Sequence, residues 1–206
     1  IYENLGQPQE AIQALELLIQ KVPKSKFLIQ ALIKSGRIYL EHLGDAAKAG
    51  AQFRRMRSIK DLDDKTKAEV DYWLIFIDEQ RAKSKPDIVK VMDRYKALLQ
   101  AAEIKYPNVA TKARLGIGRC LITLEKFSEA LEFFRAIVDE SKETDDKEVL
   151  AGAYVGIGDA YFKMEKWLEA RRAYLRVGVL WEEFPEYHAK ALCLAGNCFL
   201  LARDND

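Results

Sequence analysis

Cysteine and histidine are scarce in this chain of 206 residues, which contains three cysteines and two histidines. Three cysteines are too few, and odd in number, for a disulfide framework, and Cys193 and Cys198 would diverge in direction on one helix. We therefore expect Cys120, Cys193 and Cys198 to be free thiols, which mildly favours a reducing compartment. His42 and His188 have no second ligand three or four residues away, so the sequence predicts no metal site and no cofactor.

An excess of charge of one sign is also missing, since 33 basic and 32 acidic residues leave a net charge of +1. This balance argues against a dedicated nucleic-acid surface and against a strongly anionic partner. No apolar run approaches about 18 residues, and no leader of charged, apolar and small residues is visible. The chain opens inside one helical segment and closes just after another, so we expect a fragment of a longer protein. Both the cytoplasm and the bacterial cell envelope remain open as its location.

Catalytic motifs are absent as well: the chain has no G-x-S-x-G elbow, no H-E-x-x-H and no phosphate-binding loop. Two G-x-G strings occur, one at Gly116 and Gly118 and the other at Gly156 and Gly158. They lack the preceding strand and the third glycine of a dinucleotide site and lie at helix-packing positions. The sequence therefore predicts a protein that is not an enzyme.

What the sequence does contain is a two-helix pattern, clearest in residues 151–184. Large, small and aromatic residues recur at spacings of three and four, which places them on one face of each helix. A small residue opposite an aromatic one lets two helix axes approach to about 8 to 10 Å. The residues concerned are Tyr154, Ile157, Gly158 and Tyr161 on the first helix, and Ala170, Tyr174 and Val177 on the second.

This pattern resembles the tetratricopeptide repeat, and further copies surround Gly36 and Gly118. The small residue recurs at intervals of about 40 residues, against about 34 in the family. A weaker copy lies between these two, with Ile77 in place of the small residue, and we expect its helices to be splayed or shifted. The long period and segments such as KYPNVATKARLGIG resemble the variant found in bacterial TolA-binding and outer-membrane assembly lipoproteins.

The resemblance implies an all-α fold, a right-handed α-α superhelix of antiparallel helix pairs. We expect a single solenoid over residues 1–206, with proline marking repeat boundaries. Pro8 should open a second helix, and Pro23 and Pro107 should follow the ends of second helices, as should Pro185. The expected repeats are a half repeat at 1–28, repeats at 29–69, 70–110 (degenerate), 111–150 and 151–188, and a half repeat at 189–206.

The resemblance also implies that the second, fifth, ninth and twelfth positions of the first helices line a concave groove. The fifth and twelfth positions are apolar, the ninth alternates between Arg and Asp, and Lys112 and Lys190 recur at the second. On the last first helix, Cys193 and Leu200 are the fifth and twelfth. Aliphatic fifth positions do not match the domains that clamp the carboxyl terminus of chaperones. The predicted partner-binding residues are Ile33, Arg37, Leu40, Leu74, Asp78, Lys112, Leu115, Arg119, Ile122, Val155, Asp159, Phe162 and Asn197.

Such a groove suits an amphipathic helix or an extended peptide with apolar anchors, so we expect a scaffold that binds a protein partner. Three alternatives stay open. The ninth-position Arg and Asp residues could pair with each other, the chain could be an assembly or regulatory domain of a larger enzyme, or it could bind RNA. The alternating charges speak against RNA. We also expect Leu200 and Leu201 to be exposed, so that the last helix self-associates or is covered by residues beyond 206.

Overall fold

The computed structural model describes residues 7–23, 25–140 and 146–203, which form ten α-helices and, within these ranges, no strand. The expected all-α helical-repeat fold is confirmed. The first helices of the repeats are α2, α4, α6, α8 and α10, and the second helices are α1, α3, α5, α7 and α9. Their bounds are α1 Pro8–Lys21, α2 Leu28–Glu41, α3 Ala46–Arg57, α4 Asp64–Arg81, α5 Lys85–Ala102, α6 Pro107–Thr123, α7 Phe127–Asp139, α8 Lys147–Lys163, α9 Trp167–Leu180 and α10 Pro185–Arg203.

Proline opens helices here more often than it follows them. Pro8 is the first residue of α1, as expected, because the first turn of a helix does not need the missing amide proton. Pro107 and Pro185 also begin helices, whereas the preceding helices α5 and α9 already end at Ala102 and Leu180. The helices α6 and α10 therefore start about one turn earlier than the repeat bounds at 111 and 189 suggested.

The chain divides into two compact units, residues 1–81 and residues 82–206. In the first unit, the helices α1 to α4 each pack against the next along the chain. In the second unit, α5 to α10 do the same, and α6 also packs against α8, as α8 does against α10. The helices α4 and α5, which the sequence assigned to one degenerate repeat, belong to different units. The single solenoid over 1–206 stays a prediction.

Glycine allows the close helix contacts that the sequence predicted. A Cβ atom added to Gly36 would lie 2.6 Å from the ring carbon Cζ of Phe53. The same distance separates an added Cβ on Gly118 from Cζ of Phe134. The same pairing, Gly158 with Tyr174, joins α8 to α9. In each pair only glycine leaves room for the ring, which brings the two helices of a repeat together.

Three of the turns between first and second helices contain a residue in the left-handed backbone conformation. Gly44, Glu125 and Glu165 have φ angles of 63°, 63° and 60° and occupy the same place in the turns that precede α3, α7 and α9. Glycine adopts this conformation without strain, whereas a glutamate there is strained. The short turn forces the conformation because the second helix must fold back onto the first.

Candidate functional site

The residues predicted to bind a partner lie on first helices, and together with Asp71, Lys190, Cys193 and Leu200, which hold the same repeat positions, we call them the first-helix face. In the unit 82–206 this face comprises positions on α6, α8 and α10, which are neighbours because α8 packs against both of the others. In the unit 1–81 it comprises positions on α2 and α4. The members are Ile33, Arg37, Leu40, Asp71, Leu74 and Asp78 in the first unit, and Lys112, Leu115, Arg119, Ile122, Val155, Asp159, Phe162, Lys190, Cys193, Asn197 and Leu200 in the second.

The apolar members of the face in the second unit divide into buried and accessible residues. Leu115 and Val155, both at fifth positions, are only 4% exposed. The side chain of Leu115 is covered by α8, since a Cβ atom added to Gly152 would lie 3.0 Å from its Cδ2. Ile122 and Phe162, both at twelfth positions, are half-buried. The accessible apolar members of the face on these two helices therefore lie at their carboxyl-terminal ends.

Asp159 on α8 is held by two neighbouring helices. The phenol of Tyr174 on α9 donates a hydrogen bond to its Oδ1 at 2.7 Å, and Nζ of Lys190 on α10 lies 3.2 Å from its Oδ2. Burial raises the pKa of Tyr174, and the charge and hydrogen bond of Asp159 raise it further, so the phenol remains a donor. This carboxylate therefore links α8 to α9 and to α10, and it pairs with a second-position lysine.

The basic members of the face on α6 also have neighbours. Arg119 donates a hydrogen bond from Nη2 to the phenol oxygen of Tyr95 at 3.4 Å. Nζ of Lys112 lies 3.7 Å from Oδ2 of Asp146. Both basic side chains keep partly exposed surface, so they remain within reach of a ligand's acidic groups.

In the unit 1–81, two charged members of the face have charged or aromatic neighbours. Nε of Arg37 donates to Oε1 of Glu41 at 2.9 Å, and its guanidinium lies 5.6 Å from the centre of the Trp73 ring. Arg57 on α3 pairs with Asp71 at 2.8 Å. Asp78 is partly exposed. The apolar members of this unit pack, partly buried, against its core, and they are Ile33, Leu40 and Leu74.

The face is most open on α10. Cys193 and Asn197 are exposed, and Leu200 is 58% exposed, as expected. Leu201, which was expected to be exposed, is partly buried. All three cysteines are free thiols, as predicted, and Cys120 and Cys198 are buried.

Sequence reasoning placed the first glycines of the G-x-G strings at helix-packing positions but did not identify the rings that they pack against. A Cβ atom added to Gly116 would lie 2.5 Å from Cζ of Tyr95, and one added to Gly156 would lie 2.6 Å from Cε1 of Phe134. Each glycine thus receives the ring of the preceding repeat. The recurrence of both glycines of the string, about one repeat apart, was a signal that could have revealed this role.

Arg114 stands where the repeat pattern favours a large apolar or aromatic residue. Its Nη2 donates to Oε1 of Glu103 at 2.8 Å, and its Nη1 pairs with Glu140. The two carboxylates lie just beyond the carboxyl-terminal ends of α5 and α7. The guanidinium therefore joins two second helices by charge at a position that the pattern would fill with apolar contact.

Other kinds of site find little support in the described part of the chain. No group of three or more His, Cys, Asp and Glu side chains there could hold a metal ion. Across residues 7–23, 25–140 and 146–203, every helix is too short or too polar to cross a membrane.

A family model described as "Tetratricopeptide repeat" matches residues 1–25 of the chain. The fold is similar to that of BtubC from P. vanneervenii, with 14% sequence identity and a TM-score of 0.62, covering 96% of this chain and 82% of that one. It is also similar to a tetratricopeptide repeat protein from Parabacteroides merdae, with 16% identity and a TM-score of 0.53, covering 98% and 74% of the two chains. No curated protein matches the chain.

Proposed function

Because the chain is built from tetratricopeptide-type repeats, a fold that generally serves as a scaffold for protein interactions, we propose that it is a non-catalytic adaptor. Its ligand is a protein segment that docks on the first-helix face, either as an amphipathic helix or as an extended peptide. The long-period variant of bacterial envelope lipoproteins remains a prediction.

The observation that supports this proposal is the accessible apolar surface at the ends of α6, α8 and α10. Ile122 and Phe162 are half-buried and Leu200 is exposed, and all three hold the same position in successive repeats. Apolar residues at the centre of an interface supply most of its binding energy. Arg119 lies about one turn before Ile122 on α6, and Lys190 lies nearer the start of α10 than Leu200 does. Both would supply polar contacts at the edge of the interface.

The ligand we propose therefore carries apolar anchors at intervals that match successive first helices, with acidic residues beside them. Lys190 and Asp159 form an ion pair whose charges cancel, so the basic surplus of the face comes from Arg119 and Lys112. The accessible charge on the face of the unit 82–206 is thus weighted towards the basic side. A mildly acidic ligand complements it.

Alanine substitution of Ile122 and Phe162 tests the proposed adaptor function. The double variant Ile122→Ala and Phe162→Ala should lose most of the partners that the intact protein captures, as quantified by mass spectrometry of cross-linked complexes. Its melting temperature should fall only modestly, because both side chains are half-buried. A control variant with alanine at Val179, which is exposed on α9 outside the face, should keep them. Equal capture by all three proteins would refute the proposal.

An assembly or regulatory role within a larger enzyme is a second candidate, in which the ligand is another domain of the same protein. That domain would dock on the same first-helix face. Binding of single-stranded RNA that weakens steeply with salt would instead favour a nucleic-acid ligand.

We also propose that the chain self-associates through α10. Leu192, Phe199 and Leu200 are exposed on that helix, and contiguous apolar surface of this kind marks association sites.

A further inference from the structure

The exposed side of α10 contains an empty glycine slot within an apolar stripe. Leu192, Phe199 and Leu200 are 44%, 47% and 58% exposed, and Gly196 lies between them on the same side of the helix. A Cβ atom added to Gly196 would meet nothing within 4 Å. The stripe is therefore a surface with a gap at its centre.

The other repeats show what fits such a gap. Gly36, Gly118 and Gly158 occupy the equivalent place on α2, α6 and α8, and each receives an aromatic ring from the helix that follows it. The helices α8 and α9 are joined by a three-residue turn and run antiparallel, so the ring of Tyr174 enters the Gly158 slot from an antiparallel neighbour. By analogy, we expect the Gly196 slot to accept an aromatic ring from an antiparallel helix.

The helix α10 itself presents such a ring. Phe199 lies three residues after Gly196 on the same stripe, and about half of its side chain is exposed. The guanidinium of Arg171 on α9 lies 5.8 Å from the ring centre and leaves the rest of the ring accessible. One stripe thus holds both halves of a ring-and-slot contact, which an interface with twofold symmetry requires.

We propose that two copies of this chain associate through α10 around a twofold axis, with Phe199 of each copy seated in the Gly196 slot of the other. The two helices run antiparallel, and Leu192 and Leu200 flank the two rings. This contact specifies the partner surface of the proposed self-association and rests on it, while the adaptor function does not depend on it.

The packing of α10 against α9 within one copy holds the exposed stripe in place before a second copy binds. A Cβ atom added to Gly178 on α9 would lie 2.5 Å from Cδ2 of Leu192, so this end of the stripe is held against α9. Ala195 and Cys198 are buried on the opposite side of the helix. The new contact therefore continues the packing that already joins α9 to α10. A single pair of helices falls in the class of weak interfaces below about 1,200 Å², so the dimer should depend on concentration.

Sedimentation velocity over a range of protein concentrations measures this dimer. The variants Gly196→Leu, which fills the slot, and Phe199→Ala, which removes the ring, should each raise the dimer dissociation constant at least about tenfold. Their melting temperatures should stay near that of the parent protein, because the slot is empty in the monomer and the ring is half-exposed. Val179→Ala removes a side chain that is 74% exposed on α9 and should leave the dissociation constant unchanged.

Mixing the two variants gives the sharper test. In a mixed pair, the Gly196→Leu copy still offers its Phe199 ring to the open Gly196 slot of the Phe199→Ala copy. The added leucine meets the space that the missing ring leaves. The mixture should therefore form a heterodimer more tightly than either variant forms a homodimer.

A parent protein that is strictly monomeric at high concentration overturns both the contact and the proposed self-association. A dimer that both variants leave intact, or a mixture with no gain, overturns the contact alone. Neither result affects the adaptor function, which is measured by partner capture through Ile122 and Phe162.

Discussion

The phenyl ring of Phe134 on α7 packs against Gly156 on α8, in the following repeat, as closely as it packs against Gly118 in its own repeat. The ring thus lies between the backbones of two successive first helices. Tyr95 makes the same forward contact with Gly116 on α6. Phe134 therefore joins a helix pair internally and also links it to the next pair, whereas the glycine contacts show Tyr95 only in the forward role and Tyr174 only in the internal one.

The Gly156 contact predicts a substitution that destabilises the fold although it raises helix propensity. Gly156→Ala places a Cβ atom under 3.0 Å from the Phe134 ring, and Gly118 on the other side prevents the ring from retreating. We expect a loss of about 1 to 3 kcal/mol in the free energy of unfolding, typical of overpacking. Urea unfolding followed by circular dichroism measures it.

Two other glycines act as matched controls for this substitution. Gly196→Ala should stabilise the chain by about 0.5 to 1 kcal/mol, because nothing lies within 4 Å and alanine favours the helix. Gly152→Ala should be better tolerated than Gly156→Ala, since its nearest neighbour is the end of the Leu115 side chain. If all three substitutions changed stability equally, close packing against rings would not be the reason for these glycines.

The left-handed glutamate in the turn before α9 predicts a stabilising substitution. Glu165 has a φ angle of 60°, and exchanging it for glycine should raise the free energy of unfolding by about 1 kcal/mol, because a residue with a Cβ is strained in that conformation. The reverse exchange at the equivalent turn, Gly44→Ala, should lower it. Thermal unfolding of both variants tests the pair, and a loss of stability in Glu165→Gly would contradict the assignment.

The phenol of Tyr39 predicts a pH dependence at alkaline pH. Burial, and then the hydrogen bond that the phenol donates to Glu16 at 2.5 Å, raise the pKa of Tyr39 from 10.0 to about 12. The unfolded chain loses this proton at lower pH than the folded chain does. The stabilising contribution is therefore complete below pH 10 and is lost as the pH rises to about 12.

The comparison of parent protein and Tyr39→Phe isolates this contribution. The phenylalanine variant lacks the ionisable group, so its free energy of unfolding should fall less steeply than that of the parent between pH 10 and 12. Chemical denaturation at several pH values measures both curves. Parallel curves would show that Tyr39 does not titrate in this way.

Leu115 and Ile122 on α6 predict opposite outcomes for the same substitution. Leu115 is 4% exposed, so Leu115→Ala should lower the free energy of unfolding by about 2 to 5 kcal/mol. Ile122 is half-buried at the end of the same helix, so Ile122→Ala should lower the free energy of unfolding much less. Differential scanning calorimetry separates the two, and equal melting temperatures would mean that both residues serve the surface.

This contrast marks the limit of pattern reading for the candidate site. The repeat pattern placed Leu115, Ile122, Val155 and Phe162 on one face, and it assigned them a common role. Their burial differs because α8 covers Leu115 on α6, and a covering neighbour cannot be read from the helix that is covered. Likewise Lys190 on α10 reaches Asp159 on α8 because the two helices are neighbours in space.

The order of small and aromatic residues at helical spacing was sufficient to determine the paired helices, their turns and the ring-and-glycine contacts within the pairs α2–α3, α6–α7 and α8–α9. These are local properties, because a residue three or four positions away lies on the same helical face in any surroundings. Only the tertiary structure decided that Gly116 and Gly156 receive rings from the preceding repeat, and that Leu115 is core whereas Gly196 faces an empty slot. Those outcomes depend on which helix lies beside which, and contacts between distant segments set that arrangement.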